Sequence, residues 1–199
     1  MSKRSESSAI FKTLAAAAIS ALLLSGCTAS DPLAEQFKAG DNKNYIAGDG
    51  TVTEFAKESR GRSVTWAGQI SDGRILSSDA IAGTPVVMNF WYAGCAPCRA
   101  EAPDLQQLSE QFKEVQFVGV NVRDSAATAA AFERKFGVTY PSILDANSGD
   151  VVLAFTGVVT PQAVPTTLVI DKQAKVSARV LGRIDSSTLK ALIQTVVDE

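Results

Sequence analysis

The chain reads Pro85-Val86-Val87-Met88-Asn89-Phe90-Trp91 and then, after three further residues, Cys95-Ala96-Pro97-Cys98. The continuous apolar run predicts a central β-strand that is covered on both faces. The cysteines follow where a helix is expected to begin, and free backbone N–H groups and the helix dipole stabilise a thiolate there. Cys98 lies one turn beyond Cys95, close enough for a disulfide. The pattern therefore predicts a redox-active cysteine pair.

The N-terminal residues have the pattern of an export signal. A basic head with Lys3 and Arg4 precedes an apolar stretch, 14–24, that is too short to count on as a permanent membrane span. It ends in Leu24-Ser25-Gly26-Cys27, which resembles the lipobox of bacterial lipoproteins. That resemblance implies cleavage before Cys27 and lipidation of its sulfur. The alternative is an ordinary secreted protein in which Cys27 has no special role.

The chain contains three cysteines, an odd number for an exported protein. If Cys27 carries the lipid, only Cys95 and Cys98 remain. The mature protein would then have one redox-active pair and no structural disulfide.

Composition excludes several functional classes. The sequence has no histidine, which excludes Ser-His-Asp and Cys-His catalysis and the usual His-rich metal sites. Arg99 follows Cys98, so the motif is not the Cys-x-x-Cys-His haem attachment signal. The net charge is −2 and no basic patch has interleaved aromatic residues, so nucleic acid is not an expected partner. We expect no metal and no cofactor beyond the disulfide itself.

Hydrophobic periodicity and turn signals predict an order of strands and helices. Strands are predicted over 85–91, 115–121, 140–144, 166–171 and 175–181, and helices after Cys95, over 126–136, as a turn over 151–155, and near the C-terminus. Asp72-Gly73 predicts an earlier hairpin, and Pro103 is expected to break or kink the first helix. This order predicts an α/β fold: a central mixed sheet with helices on both faces and an N-terminal β-hairpin extension.

Three motifs together resemble the TlpA/ResA-like branch of the thioredoxin superfamily. They are Asn89-Phe90-Trp91, the segment 95–103 that begins with Cys95-Ala96-Pro97-Cys98 and ends with Pro103, and Val164-Pro165-Thr166-Thr167. The likeness covers about residues 63–197 and implies a thioredoxin-like fold. The expected organisation is a lipoprotein signal peptide over 1–26, a flexible polar tether over 27–45 and a thioredoxin-like domain over 46–199.

The resemblance implies roles for four residues of the domain. Cys95 matches the exposed attacking thiolate, and Cys98 matches the partner that resolves the mixed disulfide. Pro165 matches a cis-proline that lies against the cysteine pair, and a cis X–Pro bond is uncommon enough to test. Glu101 matches a glutamate of ResA-like reductases that could face the pair and exchange protons as the disulfide cycles. The alternative for Glu101 is a solvated helix charge paired with Arg99 or a lysine.

Two positions depart from the family pattern. Asn89 stands where thioredoxins carry a buried aspartate, and Gly94 stands where most relatives have tryptophan. We interpret Trp91 as a core aromatic and Tyr92 as a rim aromatic. Asn89 removes the usual buried carboxylate for proton transfer, whereas Gly94 puts the substrate contacts in doubt but not the chemistry of the pair.

The resemblance implies an extracytoplasmic thiol-disulfide oxidoreductase, anchored by lipid to the outer face of the cytoplasmic membrane and acting as a monomer. Ala96-Pro97 supplies no charge that would favour the thiolate, which predicts a comparatively reducing pair. Family members of this kind receive electrons from membrane proteins of the CcdA/DsbD type. Their substrates are protein disulfides such as that of apocytochrome c, so cytochrome c maturation is the expected pathway.

Other functions remain open on the same residues. An extracytoplasmic disulfide oxidase or isomerase would use the same cysteines. A non-catalytic thioredoxin-fold binding lipoprotein would need neither thiol. A peroxiredoxin is disfavoured because the chain lacks the apolar-Thr-x-x-Cys setting, and a Sco-like copper carrier is disfavoured because histidine is absent.

Overall fold

The computed structural model describes residues 45–47, 52–159 and 163–199. The predicted signal peptide, Cys27 and the tether up to residue 44 lie outside these residues. Within the described part of the chain, no helix is long and apolar enough to cross a membrane.

The described residues form nine strands and four α-helices. The strands are β1 (Tyr45–Ala47), β2 (Val52–Glu54), β3 (Ala67–Gln69), β4 (Ile75–Ser77), β5 (Val86–Trp91), β6 (Gln116–Asn121), β7 (Ser142–Leu144), β8 (Thr166–Ile170) and β9 (Val176–Leu181). The helices are α1 (Ala96–Gln111), α2 (Ala126–Phe136), α3 (Asp150–Ala154) and α4 (Ser186–Asp198), with short 3-10 turns at Lys57–Ser59 and Asp79–Ile81. Tyr45, which was assigned to the tether, begins β1.

Seven of these strands form one mixed sheet in the order β1-β2-β9-β8-β5-β6-β7. Strand β5 runs parallel to β6 and antiparallel to β8, and β6 runs parallel to β7. Strands β3 and β4 form a separate antiparallel hairpin. The predicted mixed sheet and the predicted hairpin at Asp72-Gly73 are therefore confirmed, and β5 is central because it has a partner on each side.

The two faces of the sheet are covered by different elements. All six residues of β5 are buried, which explains its continuous apolar sequence. Met88 and Phe90 pack with Val151 of α3 and with Trp66 near the β3–β4 hairpin. Val87 packs on the opposite face with the apolar residues of α1 and α4. Helices therefore lie on both faces, as predicted.

Local signals account for the helix ends. Ser125 begins α2 by accepting a hydrogen bond from Thr128 N–H at 3.3 Å, and Gly137 ends it in the left-handed conformation (φ 67°). Asp185 begins α4 in the same way, with Thr188 N–H as the donor at 2.9 Å.

Pro103 does not break the first helix. Helix α1 continues through it from Ala96 to Gln111. Proline lacks the N–H that would bind the carbonyl of Arg99, four residues earlier. Both Pro103 and Arg99 are exposed, so water can satisfy that carbonyl. The prediction of a break is therefore wrong, and the alternative, a kink at Pro103, stays a prediction.

Candidate redox site

The cysteine pair lies where β5 delivers the chain to the start of α1. Cys95 is the N-cap residue of the helix, and its sulfur accepts a hydrogen bond from the Cys98 backbone N–H at 3.2 Å. The two residues form a disulfide, with their Cα atoms 5.3 Å apart. Reduction of this bond would leave the Cys95 sulfur facing the free N–H groups of the helix, which favour a thiolate.

Cys95 is less accessible than predicted. Its exposed fraction is 4%, against 2% for Cys98. The expectation of an exposed Cys95 is wrong for this oxidised state, because Tyr92, Ala93 and Val164 pack against the apolar cluster that contains the disulfide. These three residues are among the partly buried apolar residues around the disulfide.

The loop that precedes the cysteines is held by a carboxylate that sequence reasoning missed. Asp124 Oδ2 accepts hydrogen bonds from the Ala93 N–H at 2.6 Å and from Asn121 Nδ2 at 2.8 Å. The Arg123 guanidinium lies 4.4 Å from the centre of the Tyr92 ring. The end of β6 thus positions the rim of the site. The only sequence signal was a polar Asn-x-x-Asp segment directly after a strand.

The cis-proline loop completes the surroundings of the disulfide. The Val164–Pro165 peptide bond is cis, as the family resemblance predicts. The Pro165 carbonyl accepts a hydrogen bond from Gly182 N–H at 2.8 Å, which ties the loop to the end of β9. Val164 packs against the cysteine cluster, so the proline segment and the disulfide share one region of the surface.

Glu101 is buried in the core, one turn after Cys98. It has no exposed surface, so the alternative of a solvated helix charge is wrong. Its two oxygens accept hydrogen bonds from Asn89 Nδ2 at 2.8 Å and from the Ile184 N–H at 3.0 Å. Burial nevertheless raises the pKa of Glu101 to about 7, because desolvation of the carboxylate outweighs these two donors. A group with this pKa can take up and release a proton near neutral pH.

Asn89 connects this carboxylate to the rest of the site. Its amide nitrogen also donates to Thr167 Oγ1, at 3.0 Å, so both of its hydrogens are used. Asn89 and Cys98 line the same small cavity. Within the described residues no hydrogen bond joins Glu101 to either cysteine, and Asn89 both donates to Glu101 and shares a cavity with Cys98.

The aromatic residues beside the pair have the predicted places. Trp91 is buried, and its ring lies 4.3 Å from that of Phe132 on α2. Tyr92 is half-buried at the rim. A Cβ atom at Gly94 would lie 3.3 Å from the Tyr92 ring, so the absence of a side chain at Gly94 lets the Tyr92 ring occupy its place at the rim. Among the described residues, no group of three or more acidic or cysteine side chains could hold a metal ion.

The family model described as the AhpC/TSA family matches residues 63–179. The chain belongs to the AhpC/TSA family. The fold is thus thioredoxin-like, as the central strand, the Cys-x-x-Cys helix and the cis-proline indicate.

Several relatives of this chain carry the name thiol-disulfide oxidoreductase ResA. The protein from Geobacillus thermodenitrificans is 31% identical over 116 residues, which make up 57% of this chain and 64% of that protein. The protein from Bacillus subtilis is 31% identical over 121 residues, or 60% and 65% of the two chains. The match spans slightly less than two thirds of these relatives. The predicted resemblance to ResA-like proteins is confirmed.

Two solved structures resemble this chain, and the similarity extends over nearly the whole length of each of those two proteins. A secreted thiol-disulfide isomerase from Corynebacterium glutamicum has a TM-score of 0.71 and 28% identity, covering 79% of this chain and 98% of its own. A DsbF homologue from Corynebacterium diphtheriae has a TM-score of 0.67 and 31% identity, covering 76% and 96%.

Proposed function

We propose that the protein is a thiol-disulfide oxidoreductase whose reactive group is the Cys95–Cys98 pair. The observation that carries this proposal is the disulfide at the N-terminus of α1, beside the cis-Pro165 loop. Disulfide exchange needs only an activated thiolate, a second thiol within reach and access for a partner. The names of the ResA relatives support the same activity.

The exchange proceeds in two balanced steps. In the reduced protein, the Cys95 thiolate attacks one sulfur of a substrate disulfide, which forms a mixed disulfide and releases the other substrate sulfur as a thiolate. Cys98 then loses its proton and attacks the Cys95 sulfur. The Cys95–Cys98 bond forms, the bond from Cys95 to the substrate breaks, and two electrons have passed to the substrate.

Glu101 is the proposed proton acceptor for this cycle. It lies one turn after Cys98 and has a pKa of about 7, so it can change its protonation state at the pH of the reaction. Because no water reaches it directly, its proton must move through the interior around Asn89. Glu101 therefore serves as a buried proton store, which takes up a proton from the cysteine pair and returns it as the disulfide cycles.

We further propose that the pair works as a reductant outside the cytoplasm. Ala96-Pro97 places no charge beside the sulfurs, which favours a potential nearer to about −270 mV than to about −120 mV. The substrates would be disulfides of exported proteins such as apocytochrome c, in cytochrome c maturation. A membrane protein of the CcdA/DsbD type would resupply the electrons, since this compartment favours disulfides.

Lipidation of Cys27 would keep the domain at the outer face of the cytoplasmic membrane. The basic head, the apolar stretch and the lipobox at Leu24-Ser25-Gly26-Cys27 support this proposal. A Cys27→Ala variant should move from the membrane fraction to the soluble fraction and lose incorporation of labelled palmitate. The parent chain is the control, and equal labelling of both chains would contradict the anchor.

A disulfide isomerase or oxidase is the second candidate function. The secreted isomerase from Corynebacterium glutamicum favours it, because 98% of that chain aligns with this one. The potential separates the two functions. A value near about −270 mV supports the reductase, whereas a value at or above about −180 mV, with reactivation of scrambled ribonuclease, supports the isomerase.

Substrate trapping tests the proposed activity and identifies the partner. In a Cys98→Ser variant the mixed disulfide at Cys95 cannot be resolved, so the natural substrate should remain attached until a reductant is added. The matched control is Cys95→Ser, which should capture nothing and should not reduce insulin. If Cys95→Ser reduced insulin as fast as the parent chain, the proposed activity of the Cys95–Cys98 pair would be excluded, whereas a parent chain that did not reduce insulin at all would favour the non-catalytic binding protein.

A further inference from the structure

A small cavity is lined in part by Cys98. Its volume is about 10 Å³, which is room for one water molecule. Cys98, Asn89, Trp91, Tyr140 and Ser142 line it together with four apolar residues. These five side chains all carry a group that can form a hydrogen bond, so the cavity is polar enough to hold water rather than remain empty.

Ser142 supplies the clearest sign of a missing partner. Its exposed fraction is 3%, and its hydroxyl oxygen makes no hydrogen bond with any described residue. The Glu133 carboxylate on α2 is near enough for the hydroxyl to oppose the rise in the Glu133 pKa that burial causes, but the two groups lack hydrogen-bonding geometry. Buried hydroxyl groups in native proteins nearly always have a partner, and water is a common one.

Gly119 shows that the space beside Ser142 is used by polar atoms. A Cβ atom at this position of β6 would collide with Ser142 Oγ and would lie 2.8 Å from Trp91 Nε1. The absence of a side chain at Gly119 therefore lets the hydroxyl and the indole N–H approach the same place. Both residues also line the cavity, so two side chains with hydrogen-bond donors contribute to its wall.

Acceptors lie on the other walls. The Asn89 amide uses both of its hydrogens on Glu101 and Thr167, which leaves its oxygen as the group available to the cavity. The Cys98 sulfur becomes a strong acceptor once the disulfide is reduced and the thiol ionises. With an exposed fraction of 2%, that thiolate would have almost no contact with bulk solvent. Two donors and two acceptors match the four hydrogen bonds of one water molecule.

We propose that one buried water molecule occupies this cavity, held by Ser142, and that it donates a hydrogen bond to the Cys98 thiolate. Ser142 is then a positioning residue for the second step of the exchange. The proposal rests on the proposed function, because it supplies the stabilisation that Cys98 needs before it attacks the Cys95 sulfur. The water forms and breaks no covalent bond in that step.

Several titratable groups surround Cys98 and must be kept constant in a test. Cys95 and Glu101 lie on its own helical segment, Glu133 is on α2, and Tyr140 precedes β7. Burial raises the pKa of Tyr140, so this residue stays neutral throughout a thiol titration. Removal of the Ser142 hydroxyl takes away no ionisable group, but it removes a contact that opposes the rise in the Glu133 pKa. Glu133 is therefore titrated in the same variants, and a shift of the Cys98 pKa without a matching change at Glu133 would report the lost hydrogen bond.

The test is an NMR titration of the full chain with Cβ-labelled cysteine in a Cys95→Ser background. The Cys98 signal gives its pKa directly, and Cys27 gives a separate signal. Ser142→Ala should raise the pKa of Cys98 by about one unit, a tenfold loss in acid dissociation, because a hydrogen bond to the thiolate is lost. Ser142→Thr, which keeps a hydroxyl, should stay within about 0.3 units of the parent. Ser177→Ala in β9, a buried serine outside the cavity, is the matched control.

Three results would overturn the water site. The first is an unchanged Cys98 pKa in Ser142→Ala. The second is a rise of the Cys98 pKa that is equal in Ser142→Ala and Ser142→Thr. The third is the absence of an NMR cross-peak between a long-lived water and the cavity residues in the chain that keeps Ser142. The cross-peak needs no substitution at Ser142, so it decides the matter even if these variants do not fold. None of the measurements uses a substrate. A negative result therefore removes the water site alone, whereas insulin reduction by Cys95→Ser removes the proposed activity.

Discussion

Replacement of Glu101 by glutamine should change how the stability of the protein depends on pH. The pKa of Glu101 rises from 4.5 to about 7, chiefly because the carboxylate is desolvated. A carboxyl group with a raised pKa in the native state holds its proton more tightly there than in the unfolded chain. It therefore lowers the free energy of unfolding as the pH rises from 4.5, and this loss of stability is complete above pH 7.

The size of the effect follows from the same values. Each pH unit between the unfolded and native pKa costs about 1.4 kcal/mol, so the native parent loses about 3 kcal/mol of unfolding free energy between pH 4.5 and about pH 8. Glutamine carries no charge and avoids this loss. It also cannot accept at both positions, so either the Asn89 N–H or the Ile184 N–H loses its acceptor, at a cost of about 1–3 kcal/mol.

Glu101→Gln should accordingly be less stable than the parent at pH 4.5 and at least as stable at about pH 8. Urea unfolding of the oxidised proteins at several pH values measures this difference, and contributions from all other groups cancel between the two chains. Glu110→Gln, at the exposed end of α1, is the control and should follow the parent. Parallel curves for Glu101→Gln and the parent would refute the raised pKa and, with it, the proposed proton store.

Two further substitutions test the packing around the site and the support of the sheet. Gly119→Ala should lower the unfolding free energy by about 2 kcal/mol, because its Cβ would collide with a side chain of β7. The control is Gly61→Ala, because Gly61 has open space around it. Equal urea midpoints for the two variants would contradict the clash. Arg60→Ala should cost about 3 kcal/mol, because it leaves the buried Asp171 carboxylate without its 2.8 Å ion pair. The exposed Arg62→Ala should be nearly neutral in the same urea assay, and an equal loss in both arginine variants would argue against a specific pair.

Much of the fold could be predicted because its signals are local. The apolar run of β5 reports that both faces are covered, and the structure places it in the centre of the sheet. The caps at Ser125 and Asp185 are read from two or three neighbouring residues. Pro103 is the exception, since the helix continues where the exposed first turn lets water replace the lost hydrogen bond.

The accessibility of the site could not be predicted, because it depends on elements that are distant along the chain. Cys95 was expected to be exposed, because the neighbouring Tyr92 and Ala93 do not by themselves show that the sulfur is covered. Val164 reaches the pair from the cis-proline loop, about seventy residues later, and covers it together with Tyr92. Asp124, which holds the loop before Cys95, comes from the end of another strand. Such contacts arise only in the folded sheet, where the end of the parallel strand β6 and the start of the antiparallel strand β8 both lie beside the end of β5.

The sequence by itself determined the reactive group and its place at the start of a helix after a central strand. These two features depend on spacing, helix geometry and residue type within short segments, whereas the cis-proline was predicted from the family resemblance. Only the tertiary structure decided that Glu101 is buried, because its two hydrogen-bond donors come from β5 and from Ile184, 83 residues away. It also decided that Ser142 and Gly119 meet beside Cys98. Desolvation and cavity shape are properties of packing between segments, which no local pattern of residues encodes.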